Sequence, residues 1–213
     1  MRILLLNPNS NEKTTSAMVA IAQEIAGARA KIESMTAPRG PSMIIDFDAL
    51  TAAGNLLASM VPQIEAQKPD AVIIAGYGDP GLSILRSRLS MPVSGIGEAS
   101  MMEAAQHGRF AVATSTPGLA DAITQMARSK GHGESFCGVF LTASGPLILS
   151  DDPEALYIEL KQSCTEAQRQ ANPDSIIIGG GPLAVAARRL AREFDMPIIE
   201  PIPAAIRWAL QQA

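Results

Sequence analysis

The sequence predicts an α/β protein built from two pseudo-symmetric, Rossmann-like parallel-sheet halves, with the site in the cleft between them. Three observations carry this. Short β-branched runs alternate with longer helical patterns along all 213 residues, the signature of strands covered by helices. The strands are almost continuously apolar, as strands buried on both faces must be. And the chain repeats itself. Asp70-Ala-Val-Ile-Ile-Ala-Gly76 returns as Asp174-Ser-Ile-Ile-Ile-Gly-Gly180. Each copy leads through a proline-bearing turn and an arginine-bearing helix to Met-Pro-aliphatic, at Met91-Pro92-Val93 and at Met196-Pro197-Ile198. The starts of the halves align too, Arg2–Asn7 with Arg109–Thr114.

In chain order, Arg2–Leu6 reads as a strand and Thr14–Ala26 as a helix. Ala30–Met35 is the next strand and Ala49–Gln67 one long helix. Asp70–Ala75 is a strand, Leu82–Leu89 a short helix and Pro92–Gly95 a strand. Glu98–Gln106 is helical. The second copy runs through strand Arg109–Ala113, helix Leu119–Lys130, strand Phe136–Leu141, helix Glu154–Gln170, strand Asp174–Ile178, helix Leu183–Phe194 and strand Pro197–Ile199. Ala204–Gln212 is the final helix. Asp79-Pro80, Thr116-Pro117 and Asp152-Pro153 each set a capping side chain before a proline at a helix start. The expected division is residues 1–97 with 200–213 as the first half and 98–199 as the second.

Composition excludes several functions. Net charge is −4 with no basic run, and aromatics are 4%, so nothing recruits nucleic acid or anionic lipid. No apolar run approaches the ~18 residues of a membrane span, and the apolar start stops at Asn7-Pro8-Asn9, so the cytoplasm is the expected compartment. Charged residues are only 18%, below the usual quarter; a surface so lean in charge points to a homo-oligomer. Cys137 and Cys164 sit in no Cys-x-x-Cys or Cys/His cluster, so no metal site is expected. Both read as small buried hydrophobes.

In parallel sheets, ligands bind outside the carboxyl ends of the strands. Two facing halves would bring Asn7, Gly76, Thr114 and Gly180 around one small ligand. Gly179-Gly180-Gly181 reads either as a backbone nest for an anion or as a tight turn. Asn7, Asn9, Ser10, Thr114, Ser115 and Thr116 lie at strand ends, where they contact ligand or cap and turn the chain. His107 and His132 sit beside glycines in apparently exposed turns, in no triad-like context.

At this point the residues resemble a known family. Asn7-Pro8-Asn9-Ser10, Gly40-Pro41-Ser42, Gly76-Tyr77-Gly78-Asp79-Pro80-Gly81-Leu82, Pro92-Val93-Ser94-Gly95-Ile96-Gly97-Glu98-Ala99 and Gly179-Gly180-Gly181 fall in its order. So does Gly108-Arg109-Phe110 leading to Thr114-Ser115. The chain resembles the Asp/Glu/hydantoin racemase superfamily, its hydantoin and allantoin racemases above all. The resemblance implies a cofactor-independent enzyme acting on a small carboxylate, hydantoin or cyclic imide, an anionic or amide-ring substrate. That family moves a proton with two cysteines on opposite faces of one carbon, and its arylmalonate decarboxylase type keeps one. Here glycine stands at both matching positions, Gly76 and Gly180. Two-thiol racemisation is therefore unavailable, and an isomerase, lyase or hydrolase must work otherwise. Without the thiols the cleft is expected to be enlarged.

The expected site follows. Asn7, Asn9, Ser10, Gly76, Tyr77, Gly78, Thr114, Ser115, Gly180, Gly181 and Pro182 are the candidate substrate-binding residues. Tyr77, Asp79, Glu98 and Glu200 are the candidate proton carriers, each with a plainer reading: aromatic wall for Tyr77, helix cap for Asp79, surface or capping carboxylate for the glutamates. The alternative function is a catalytically inactive module that binds a small anion.

Overall fold

A computed structural model describes residues 1–212. The first half contains β1 (Arg2–Asn7), α1 (Glu12–Ala26), β2 (Lys31–Thr36), α2 (Phe47–Ser59), α3 (Val61–Gln67), β3 (Ala71–Ile74), α4 (Leu82–Arg88) and β4 (Val93–Gly95). After α5 (Ile96–Ala105), the second half runs β5 (Phe110–Thr114), α6 (Ala120–Ser129), β6 (Phe136–Leu141), α7 (Pro146–Leu149), α8 (Pro153–Ala171), β7 (Ser175–Ile178), α9 (Ala184–Leu190) and β8 (Ile198–Ile199). Helix α10 (Pro201–Leu210) follows. The two sheets are parallel and share one order, β2-β1-β3-β4 and β6-β5-β7-β8. The duplication reaches single bonds: Asp70 accepts from the Arg2 N–H at 2.6 Å, and Asp174 from the Arg109 N–H at 2.7 Å.

Strand alternation decides the layers. Ile3, Leu5 and Ile73 of the first sheet face inward and share one continuous core with Phe110, Val112 and Ile177 of the second. Their neighbours Leu4, Leu6, Val72 and Ile74 face outward under α2, α3 and α4. Ala111, Ala113, Ile176 and Ile178 face outward under α8 and α9. Helix α10 packs on α1 and α5 within the shared core.

Some boundaries differ from the sequence reading, for physical reasons. The helix expected over 49–67 is two, broken at Met60, because Pro62 lacks an N–H and cannot continue the ladder. Helix α1 begins two residues early because Asn11 caps it, accepting from the Thr14 N–H. Helix α10 begins at Pro201, since prolines are tolerated in a first turn. The helix expected over 183–194 spans only Ala184–Leu190, after a 3₁₀ turn at Gly181–Leu183. The four-residue α7 was too short to show a period. Asp152 caps α8 as expected. Thr116 makes no side-chain cap. His132 is half-buried, its ring edge-on to Phe110 at 5.7 Å.

Candidate active site

The carboxyl ends of β1, β3, β5 and β7 meet around a cavity of about 230 Å³. The first half contributes Pro8, Asn9, Asn11, Thr14, the 42–44 segment and Ala75–Tyr77. The second contributes Thr114–Thr116, Leu119, Ile123, the rim of α7 and Gly179–Leu183. No lining residue carries a formal charge. Apolar carbon dominates the second-half wall, with Leu119, Ile123, Leu149, Leu156 and Leu183. Of the residues expected at the site, Asn9, Gly76, Tyr77, Thr114, Ser115, Gly180, Gly181 and Pro182 line the cavity. Asn7, Ser10, Gly78, Asp79, Glu98 and Glu200 do not.

Asn7 is fully buried and works within its own loop. Its amide donates to Asn9 Oδ1 at 3.0 Å, the Asn11 carbonyl at 3.2 Å and Thr15 Oγ1 at 2.9 Å, and its Oδ1 accepts from the Asn9 N–H. Those bonds fix Asn9, whose own amide nitrogen is left for a ligand. Thr114, its partner in the repeat, donates to the Gly179 carbonyl at 2.8 Å. Ser10 donates to the Gly40 carbonyl, tying the loop to the 40–41 turn.

The glycine triad offers less than a full nest. The Gly179 N–H is spent on Ala113 and the Gly180 N–H on Ile178. Gly181 keeps its N–H free of protein acceptors among the described residues, as do Gly76, Ser115 and Thr116. These are neutral donors around an apolar space. The positions without thiols have not opened into extra room. A Cβ on Gly76 would lie 2.5 Å from Pro8 Cγ, and one on Gly180 would meet Leu183 Cγ at 3.0 Å. Neighbouring carbon has closed in on both.

Tyr77 presents its ring as a wall. The ring crosses to the second half and packs so closely on Gly179 that a Cβ there would sit 2.8 Å from Tyr77 Cε1. Its hydroxyl is enclosed and has no hydrogen-bond partner. Burial pushes its pKa above the ordinary tyrosine value. The neighbouring Ser100 hydroxyl draws that pKa down slightly, but its own bond goes to the Gly97 carbonyl at 2.8 Å. A buried, unpaired hydroxyl costs free energy, so Tyr77→Phe is expected to leave stability unchanged or raise it by up to ~1 kcal/mol. Turnover should stay at the wild-type level; a large loss would return the phenol to the chemistry. Thermal unfolding and an activity assay read both.

Asp79 does cap a helix, but the neighbouring α5 and not α4. Its carboxylate accepts from the Gly97 N–H at 2.7 Å and the Glu98 N–H at 2.6 Å. Burial nevertheless pushes its pKa up to about 7, against those two bonds. The fold therefore prefers the protonated form, and this contribution is lost as pH rises through about 7. Stability is expected to fall as pH rises from about 4 to about 7 and to level off above that, with no such slope in Asp79→Asn. His132, whose pKa burial lowers, acts in the opposite direction within that window, adding stability as pH rises toward its ordinary value. Denaturant titrations at a series of pH values check this.

The glutamates are engaged elsewhere. Burial alone would raise Glu98, but hydrogen bonds from Arg86 and Lys130 outweigh it and hold the carboxyl below its ordinary pKa. Lys130 Nζ stands 2.6 Å away and Arg86 Nη1 3.1 Å. Glu200 is raised by burial and sits 3.4 Å from Arg188 Nε, which also holds Glu24 of α1. Cys164 is fully buried in α8 and pushed up to about 12 by burial. Half-buried Cys137 is raised too, chiefly by burial. Neither thiol lines the cleft.

The sequence reading missed Asn11, Thr14, the 43–44 segment and the leucine wall. Leu119 and Ile123 recur at helical spacing, but that pattern reads equally as core.

Fold and site together define a duplicated α/β protein with a small uncharged cavity between two parallel sheets. The chain belongs to the Asp/Glu/hydantoin racemase family, whose model matches residues 3–209. It is 30% identical over 211 residues to the hydantoin racemase of Paenarthrobacter aurescens, covering 98% of this chain and 89% of that one. It is 28% identical over 212 residues to the hydantoin racemase of Pseudomonas sp. (strain NS671), covering 98% and 84%. Among solved structures, allantoin racemase from Klebsiella pneumoniae superposes with a TM-score of 0.92 at 25% identity, covering 99% of this chain and 86% of that one. Among the described residues, no helix is long and apolar enough to cross a membrane.

Proposed function

We propose that this chain is a cofactor-independent enzyme that binds an uncharged cyclic amide, a hydantoin or cyclic imide, and promotes enolisation at its ring carbon without a protein thiol. The observation that carries this is the uncharged cleft. An amino acid or diacid would bury charge there without a counter-charge, at a cost of several kcal/mol. A neutral ring finds N–H donors for its carbonyls and a leucine wall for its substituent. The relatives named hydantoin and allantoin racemase support the same ring class.

In the proposed reaction the ring C–H bond breaks and its electron pair moves onto the adjacent carbonyl oxygen. Water takes the proton, and water returns one to either face. The protein's part is to hold the ring and to aim fixed donors at the developing oxyanion: the N–H groups of Gly181, Ser115 and Thr116 and the Asn9 amide. One such donor contributes about 10²–10³-fold in other enzymes. Proton NMR in D₂O tests it: the ring C–H signal of 5-benzylhydantoin is expected to decay faster with protein than without. Line broadening with no exchange would overturn turnover and establish the second reading, a binding module. That reading is favoured by one observation: Asp79, Glu98, Glu200 and the Tyr77 hydroxyl all lie outside the cavity. Exposed Leu147, Ile148 and Val185, each more than 60% accessible, support a homo-oligomer, which light scattering would measure. The unpaired cysteines suit a reducing compartment such as the cytoplasm.

A further inference from the structure

The turn at 76–81 has two faces. Gly76 and Tyr77 wall the cleft. On the other side, Gly78, Asp79 and Gly81 border an open groove of about 780 Å³ between α2 and α4 of the first half and α6 of the second. This groove is unlike the cleft. Arg86 and Lys130 line it, and both lean on the single carboxylate of Glu98. Asp79, the acid in its lining, has its oxygens committed to the N-terminus of α5. The Arg86 guanidinium is spent on Glu98 and the Val93 carbonyl, but Lys130 gives one bond to Glu98 Oε1 at 2.6 Å and has ammonium protons to spare. The floor is apolar, with Leu50, Leu82 and Met126, and Phe47 stands 58% exposed at the rim.

We infer that this groove is a second ligand site, for a small organic carboxylate bearing an apolar or aromatic group. The carboxylate meets Lys130, where a charge-assisted bond is available. The apolar group lies over Phe47 and the groove floor, an arrangement of few polar anchors on an apolar surface. The uncharged cleft offers such an acid nothing equivalent, so the two sites sort ligands by charge.

Isothermal titration with phenylacetate, using phenylacetamide as the uncharged control, tests this. Phenylacetate is expected to bind once per chain, and phenylacetamide at least tenfold more weakly. Lys130→Gln should weaken phenylacetate at least tenfold and Lys130→Arg should restore it. Phe47→Ala, an exposed change that leaves the Glu98 pairs intact, should weaken it independently. Saturating 5-benzylhydantoin should leave it bound. Equal affinity for acid and amide, indifference to both Lys130→Gln and Phe47→Ala, no binding at millimolar concentration, or displacement by 5-benzylhydantoin would each overturn the assignment.

Discussion

Gly180→Cys is expected to raise hydrogen exchange at a hydantoin ring carbon by about 10²–10⁴-fold, the usual contribution of a placed acid-base group. Gly76→Cys is expected to give little gain and to cost about 1–3 kcal/mol of stability. The asymmetry follows from what each new Cβ would touch. At Gly180 it meets Leu183 Cγ at 3.0 Å, on a side chain that can rotate aside, and the backbone there is extended, open to any residue. At Gly76 it meets the ring of Pro8 at 2.5 Å. A proline ring cannot rotate away, and the loop that carries it is held by Asn7. Exchange rates in D₂O and thermal unfolding of the two variants separate rate from fold. A well-folded Gly180→Cys protein with no gain would mean that the bound ring does not present its carbon to that face.

Gly95→Ala should be among the most damaging single-methyl additions in the chain, at about 3–5 kcal/mol. A Cβ at residue 95 would fall 2.1 Å from Asp79 Cγ and 2.1 Å from its Oδ1. The carboxyl must leave, and two buried N–H groups at the start of α5 lose their acceptor, at about 1–3 kcal/mol each. A double-mutant cycle identifies the cause. Asp79 sits at φ 51°, a conformation glycine adopts freely, so Asp79→Gly removes the obstacle without strain. In that background Gly95→Ala should cost about 1 kcal/mol or less. Additive losses would mean the methyl clashes with something other than Asp79.

The fold was legible because its signals are long and repeated. Two apolar strands with the same flanks, ending in Ala75-Gly76 and Gly179-Gly180, announce a duplication that no boundary error obscures. The site was legible only to the depth of the backbone. Strand ends can be placed from sequence, so Gly76, Thr114 and Gly180 fall where they should. Whether a polar side chain at such an end faces a ligand or its own loop is a matter of rotamer and neighbour. Asn7 and Ser10 serve the loop, and Asp79 reaches a helix that starts seventeen residues downstream. The absence of charge from the cleft is likewise invisible in one dimension. It depends on Glu98 and Glu200 having found Arg86, Lys130 and Arg188 elsewhere.

The placement of α10 bears on how the chain reaches this state. Its residues Ile202, Ala205, Ile206 and Ala209 are buried in the core that Ile3 and Leu5 of β1 also build. Strand β1 therefore waits for α10, about 200 residues away, before its inner face is fully covered. Contacts of such wide sequence separation slow folding. The two repeats are equal in pattern but share one core, so neither is fully covered without α10.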